Sequence, residues 1–277
     1  MTPRLMGIVN ANPDSFSDPG ARSLHELVVA ARDLVRVGAD IVDVGGESGV
    51  TNAPPVSPEE ERERVLPLVE QLVARGVTVS VDTWKPEVAE AVLAAGASMI
   101  NDVSGLRDPG IADACARHDA GLVVTHTRAE PKTKAFPHYE DVVRDVREFL
   151  SERTSLAVSR GVAPERIVID PGPDFTKTPE ETVTVLQNLD ELTDLGYPIL
   201  LALSRKDFIG ALTGRPPAQR LGGTLGAIAA VAQHASILRV HDVAAVADFL
   251  RVREFFDGAS QAVPALDPAL RREDPVV

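Results

Sequence analysis

A short apolar run that stops abruptly in charged or amide side chains recurs along this chain. Gly7-Ile8-Val9 runs into Asn10, followed by a polar stretch at 12–18. Asp43-Val44-Gly45-Gly46-Glu47-Ser48 closes the next run, Asp82-Thr83-Trp84-Lys85 another, and Asn101-Asp102-Val103-Ser104-Gly105 the one after. Asp170-Pro171-Gly172, Ser204-Arg205-Lys206 and Arg239-Val240-His241-Asp242 repeat the pattern. Polar groups gathered at the carboxyl ends of successive parallel strands form the active face of a (β/α)8 barrel. The expected fold class is therefore α/β, a (β/α)8 TIM barrel.

The intervening sequence supports this. Apolar runs at 5–9, 41–44, 77–81, 98–100, 122–124, 167–169, 198–203 and 237–240 read as strands. They lack the alternation of a half-exposed sheet, which indicates a parallel sheet buried on both faces. Leu24, Leu27, Val28, Ala31, Leu34 and Val35 fall on one helical stripe. Ser23 with Glu26 reads as a capping box, and Ser57-Pro58 and Thr178-Pro179 mark further helix starts. Gly38, Gly76 and Gly96 sit where helices should stop. One domain over 1–258 is expected, with a proline-containing, loosely attached tail at 259–277.

Composition narrows the function classes. The 277 residues are close to the length of about 250 usual for such a barrel. A formal charge of −13 argues against a nucleic-acid partner. No apolar run approaches a membrane span, and the first strand begins too early to leave room for a secretory signal. The single cysteine, Cys115, has no internal partner and reads as packing in a reducing, cytoplasmic setting.

Asp43, Asp82, Asn101 and Asp170 at strand ends suit a flat heterocycle rich in N–H donors, where an unpaired buried group costs about 1–3 kcal/mol. Arg239 and His241 close the last run, where barrels often bind phosphate. Asn10 offers an amide oxygen to a hard cation such as Mg2+. Each residue also has a structural reading. The aspartates could be helix caps, Lys206 a solvated helix-end lysine, Arg239 a salt-bridge partner, and Asn10 and Asn101 turn residues. Their convergence on one barrel face favours a site. His126 could serve the site or satisfy a backbone carbonyl, and the structural role is expected. No Cys or His grouping suggests structural zinc, and no dinucleotide glycine motif follows a strand.

From about Leu5 to Phe256 the chain resembles the dihydropteroate synthase family, pterin-binding TIM barrels. The resemblance rests on motifs at 10–18, 43–48, 80–89, 100–105, 170–172, 203–210 and 239–243, in order and each at a strand end. It implies a transferase of folate biosynthesis. That reaction joins 6-hydroxymethyl-7,8-dihydropterin diphosphate to p-aminobenzoate and releases pyrophosphate, with Mg2+ as cofactor and a homodimer as the assembly. It also implies that Asp82, Asn101, Asp170 and Lys206 bind the pterin, with Asp43 in the pocket floor. Asn10 corresponds to the Mg2+ and diphosphate residue, and Arg239 and His241 to the diphosphate pair. Ser204 matches a residue near the p-aminobenzoate carboxylate, and Phe175 one near its ring. The implied mechanism is dissociative: pyrophosphate departs, a cation forms on the pterin methylene, and the aromatic amine attacks.

The departures cluster in the loops. Gly49-Val50-Thr51-Asn52 replaces the family's Thr-Arg-Pro-Gly, and Asn12 and Pro19 change the first loop. Asp174 and Thr176 stand at usual glycines, Ala202 replaces another, and Thr125-His126-Thr127 replaces Met-His-Met. Asp174, if it faced the pocket, would repel a benzoate. Two alternatives follow: a pterin-diphosphate-binding paralogue with altered or lost p-aminobenzoate transfer, and a pterin-dependent methyltransferase.

Overall fold

A computed structural model describes residues 2–11, 23–47, 54–258, 262–263 and 265. Strands and helices alternate as β1 (Arg4–Asn10), α1 (Leu24–Arg36), β2 (Ile41–Gly45), α2 (Pro58–Val73), β3 (Val79–Asp82), α3 (Pro86–Ala94), β4 (Met99–Asp102), α4 (Gly110–Arg117), β5 (Gly121–Thr125) and α5 (Val142–Ser159). The second half runs β6 (Ile167–Asp170), α6 (Pro179–Gln187), α7 (Asp190–Thr193), β7 (Leu200–Leu201), α8 (Asp207–Thr213), α9 (Leu221–Val231), β8 (Ile237–Val240) and α10 (Val243–Phe256). All strand pairings are parallel, in the order β6-β5-β4-β3-β2-β1-β8-β7, and an Ile169–Ile199 bridge joins the two ends into a barrel.

Strand alternation explains how an apolar barrel acquires a polar mouth. Residues two apart on a strand share a face. Met6, Ile41, Val123, Val168, Leu200 and Ile237 pack together as one cluster, with Met99 against it. Two positions further along these strands stand Asp43, Asn101, Asp170 and Arg239. The outward set, including Val42, Val44, Val79, Val81, Ile100, Leu122, Val124 and Leu238, packs in the main core with the helices. The apolar residues of most strands thus plug the bottom of the barrel and bury its outside, while polar residues stand on the inward face toward the other end. Register aligns these tips: Asn10 pairs with Gly45, Gly45 with Asp82, Asp82 with Asn101, and Thr125 with Asp170.

Local signals act as their chemistry predicts. Ser23 and Glu26 form a full capping box on α1, as do Thr178 and Glu181 on α6. The Ser57 hydroxyl accepts from Glu60 N–H, with Pro58 at the first helical position. Gly38, Gly76 and Gly96 follow α1, α2 and α3 at positive φ. The strand expected over 198–203 pairs only at Leu200–Leu201. Ala202 and Leu203 remain buried, but the chain then turns through Arg205 at φ 61°, which ends the ladder. Cys115 is buried in α4, its thiol pushed up to about 12 by burial, so the packing reading fits. Among the described residues no helix is long and apolar enough to cross a membrane.

Candidate active site

A cavity of about 570 Å³ opens at the carboxyl ends of the strands. Asn10, Asp82, Asn101, Asp170, Phe175, Ser204, Lys206, Arg239 and His241 all line it, together with Trp84 and Arg205. Asp43 lies beneath, fully buried, and receives Arg239 Nε at 2.6 Å and Asn101 Nδ2 at 3.1 Å. The residues selected from sequence therefore meet in one place. The capping reading fails for the aspartates, because the N-caps of α2, α3 and α6 are Ser57, Lys85 and Thr178.

The floor is a charge network. Arg239 bridges Asp43 and, through Nη2 at 2.9 Å, Asp82. Against burial, these two carboxylates hold the guanidinium above its ordinary pKa. Burial pushes Asp82 up to about 7; Arg239 opposes the shift and Asp43 and Glu61 add to it. Asp170 is also raised by burial, opposed by the Gly172 N–H at 2.8 Å and by Lys206 and Lys177. Asn101 Oδ1 is buried and has no partner among the described residues. These groups offer acceptors to a ligand edge carrying several N–H donors.

The rim is cationic, although the chain is acidic overall. Lys206 Nζ lies 4.5 Å from the Phe175 ring centroid, and burial lowers its pKa against the pull of Asp174 and Asp170. Arg205 pairs with Asp242 at 2.7 Å. Ser204 Oγ accepts from His241 N at 3.2 Å and faces its Nδ1 at 3.0 Å. With the hydroxyl hydrogen turned to Nδ1, the ring proton sits on Nε2. Burial, then Arg205 and Arg239, depress His241 to about 4, so it is a neutral hydrogen-bond donor at neutral pH. Ser204 therefore serves His241 in this arrangement.

A second cavity of about 360 Å³ adjoins the first and shares Val103, Pro131, Lys132, Phe175 and Lys206 with it. Asp174 lines this one. Its carboxylate accepts from Asp207 N–H and Phe208 N–H at the start of α8, and Thr182 Oγ1 lies at 3.4 Å. The charge expected to repel a benzoate is thus partly spent on backbone donors. Asp174 and Thr176 adopt φ 62° and 52°, a left-handed conformation costing about 1–2 kcal/mol each without glycine.

Some groups escaped the sequence reading. Lys85 bridges Glu47 and Glu61, and Lys132 reaches Glu47 and the Pro54 carbonyl. Together they hold the two described flanks of the 48–53 segment. Asp102 caps its own turn through Ser104 N–H and Leu106 N–H. Lys177 is buried and bonded to His126, whose other nitrogen meets Asp145 at 2.9 Å. His126 does not line the larger cavity, in keeping with its expected structural role. The changes at 12, 19 and 49–52, and the tail beyond 265, lie outside the described residues.

The pterin-binding enzyme model matches residues 6–241, which spans every one of these strand-end groups. The chain belongs to the pterin-binding enzyme family. It is 43% identical over 260 residues to dihydropteroate synthase of Neisseria meningitidis serogroup C, covering 91% of this chain and 92% of that protein. The fold is similar to Xanthomonas albilineans dihydropteroate synthase with 4-aminobenzoic acid, at 46% identity and TM-score 0.87, covering 95% of this chain and 94% of that one. It is likewise similar to the Xanthomonas albilineans enzyme in complex with 7,8-dihydropteroate, at 45% identity and TM-score 0.83, with 95% of both chains covered.

Proposed function

We propose that the protein is a dihydropteroate synthase. As such it condenses 6-hydroxymethyl-7,8-dihydropterin diphosphate with p-aminobenzoate and releases pyrophosphate. One observation carries this reading: a single cavity sets acceptors, Asp82, Asn101 and Asp170, beside Arg239 in its floor and Lys206, Arg205 and His241 at its rim. The relatives' substrates demand that combination, a donor-rich heterocycle joined to a polyanion.

In this reading Asp170 and Asn101 accept from the pterin edge, and Asp82 completes the ring contacts. His241 Nε2–H and the cationic rim bind the diphosphate. The methylene C–O bond breaks with its electron pair going to pyrophosphate. The aromatic amine then bonds to the methylene carbon and loses a proton. Preorganised donors around the departing oxygens favour this charge separation. Phe175 and Lys206 form the wall against which the amine's ring would stack.

Mg2+ fits only as a companion of the substrate. No cluster of acidic, His or Cys side chains among the described residues could hold a metal. Asn10, exposed at the end of β1 and on the cavity wall, offers one amide oxygen. That donor set suits a cation that takes its other ligands from phosphate and water. When bound, Mg2+ would neutralise charge on the leaving group.

The homodimer implied by the family has a face to use, an apolar groove between α6, α8 and α9 where Leu212 is 70% exposed. The lone buried thiol suits the cytoplasm. A second reading, a pterin-diphosphate binder with weak p-aminobenzoate transfer, draws on Asp174, whose carboxylate borders the adjoining cavity. Mass spectrometry after incubation with both substrates decides between them. The dihydropteroate mass supports the synthase, and intact pterin diphosphate retained by the protein supports the binder.

A further inference from the structure

Lys177 is the bulkiest fully buried side chain among the described residues, and the reaction outlined above gives it no task. It closes the turn between β6 and α6. Its ammonium donates to the carbonyls of Gly172 at 3.0 Å and Phe175 at 3.1 Å, and to His126 Nδ1 at 2.7 Å. With Lys177 protonated, Nδ1 accepts and the His126 proton sits on Nε2, facing Asp145 Oδ1. Arg128 holds both Asp145 oxygens. The chain Lys177–His126–Asp145–Arg128 thus ties the turn to the end of β5 and to α5.

The turn needs such a tie. Gly172, Asp174 and Thr176 all have positive φ, two of them without the freedom of glycine. From outside, the Asp174 carboxylate sits on the α8 amides, Asp174 N–H donates to Thr182 Oγ1, Arg128 N–H donates to Thr176 Oγ1, and Tyr139 Oη meets the Thr176 carbonyl, while Phe175 N–H shares the Gly172 carbonyl within the turn. Lys177 is the contact from inside, and it spans the segment that carries Phe175. That ring borders both cavities and lies under Lys206. A buried ammonium is costly, and an apolar chain of similar length would fill the same space. What the apolar chain could not do is hold two carbonyls of one turn at fixed separation.

We propose that Lys177 is a positioning residue for the aromatic amine: by clamping the Gly172 and Phe175 carbonyls it fixes the Phe175 ring, and Lys206 upon it, where the second substrate must stack. This rests on the synthase reading for its kinetic consequence, but not for the clamp itself.

The test compares the wild type with Lys177→Met, Phe175→Leu and the double variant. Lys177→Met should raise the KM for p-aminobenzoate by about tenfold, a displaced contact wall being enough for that. The calorimetric Kd for pterin diphosphate should rise by clearly less than that KM, because Lys177 reaches that ligand only indirectly, through Lys206 and through its charge near Asp170. Phe175→Leu should raise the same KM, and the double variant should be no worse than the larger single effect, since both act through one ring. Hydrogen–deuterium exchange should speed up at 173–177 and not in β6. Additive KM effects, a parallel loss of pterin affinity, or unchanged exchange would each overturn the proposal. If Lys177→Met fails to fold, Lys177→Gln, whose shorter amide cannot hold both carbonyls, should give the same exchange signature, and its absence would also count against the clamp. A wild type inert toward p-aminobenzoate would sink the synthase reading alone, and the exchange result would still decide on Lys177.

Discussion

In the proposed reading Asp82 accepts from the pterin, and its carboxyl titrates near neutrality. Without ligand it sits at about 7, raised by burial and by Asp43 and Glu61 and held down by Arg239. A ring N–H donor favours the carboxylate, so binding expels the proton. Pterin affinity should therefore rise with pH up to about 7 and then level, with a slope approaching about tenfold per unit on the acid side. Asp82→Asn should flatten that slope, which calorimetry between mildly acid and mildly alkaline pH would measure. His241, at about 4, does not titrate in this window. His241→Ala should weaken the pterin diphosphate about tenfold and leave the dephosphorylated pterin alone, as expected for one lost donor to a charged group. Asp170→Asn should weaken both ligands by about 1.5–3 kcal/mol, since an amide places a donor where an acceptor is needed. Arg239 is a poorer probe of the anion site than its place in the sequence suggests. It neutralises Asp43 and Asp82, so Arg239→Ala would leave carboxylates unpaired and cost about 3–5 kcal/mol of stability.

Among the elements, most barrel strands were legible because they carry a polar residue at or just past their own ends. Ile41 with Asp43, Val168 with Asp170 and Ile237 with Arg239 are an inward apolar residue and an inward polar one, two apart, and that pattern is local. The groups that escaped are joined across the chain. Lys85 pairs with Glu47 and Glu61, and Lys177 with His126. Nothing in the sequence distinguishes such lysines from solvated ones. Asp174 was legible as a departure but not as a helix-capping acceptor, because its partners lie 33 and 34 residues on. The β6–α6 turn also makes its own prediction. Gly172 has φ 65°, and a Cβ there would lie 2.1 Å from the His126 carbonyl oxygen. Gly172→Ala should lower stability by more than the roughly 1–2 kcal/mol of left-handed strain alone, as denaturant titration would show.

For the whole molecule, the division of the barrel interior is what matters. An apolar plug of Met6, Ile41, Val123, Val168, Leu200 and Ile237 closes one end, and the polar tips open the other. Stability and function are therefore separable. Leu200→Ala, at the bottom of the shortest strand, should cost about 2–5 kcal/mol of unfolding free energy while pterin affinity in the folded protein stays unchanged. The open end is proposed to perform the transfer. The most direct test is pyrophosphate release from the pterin diphosphate with and without p-aminobenzoate. Release should depend on p-aminobenzoate, with one pyrophosphate for each dihydropteroate formed. Tight binding of the pterin diphosphate with no pyrophosphate released on adding p-aminobenzoate would contradict it.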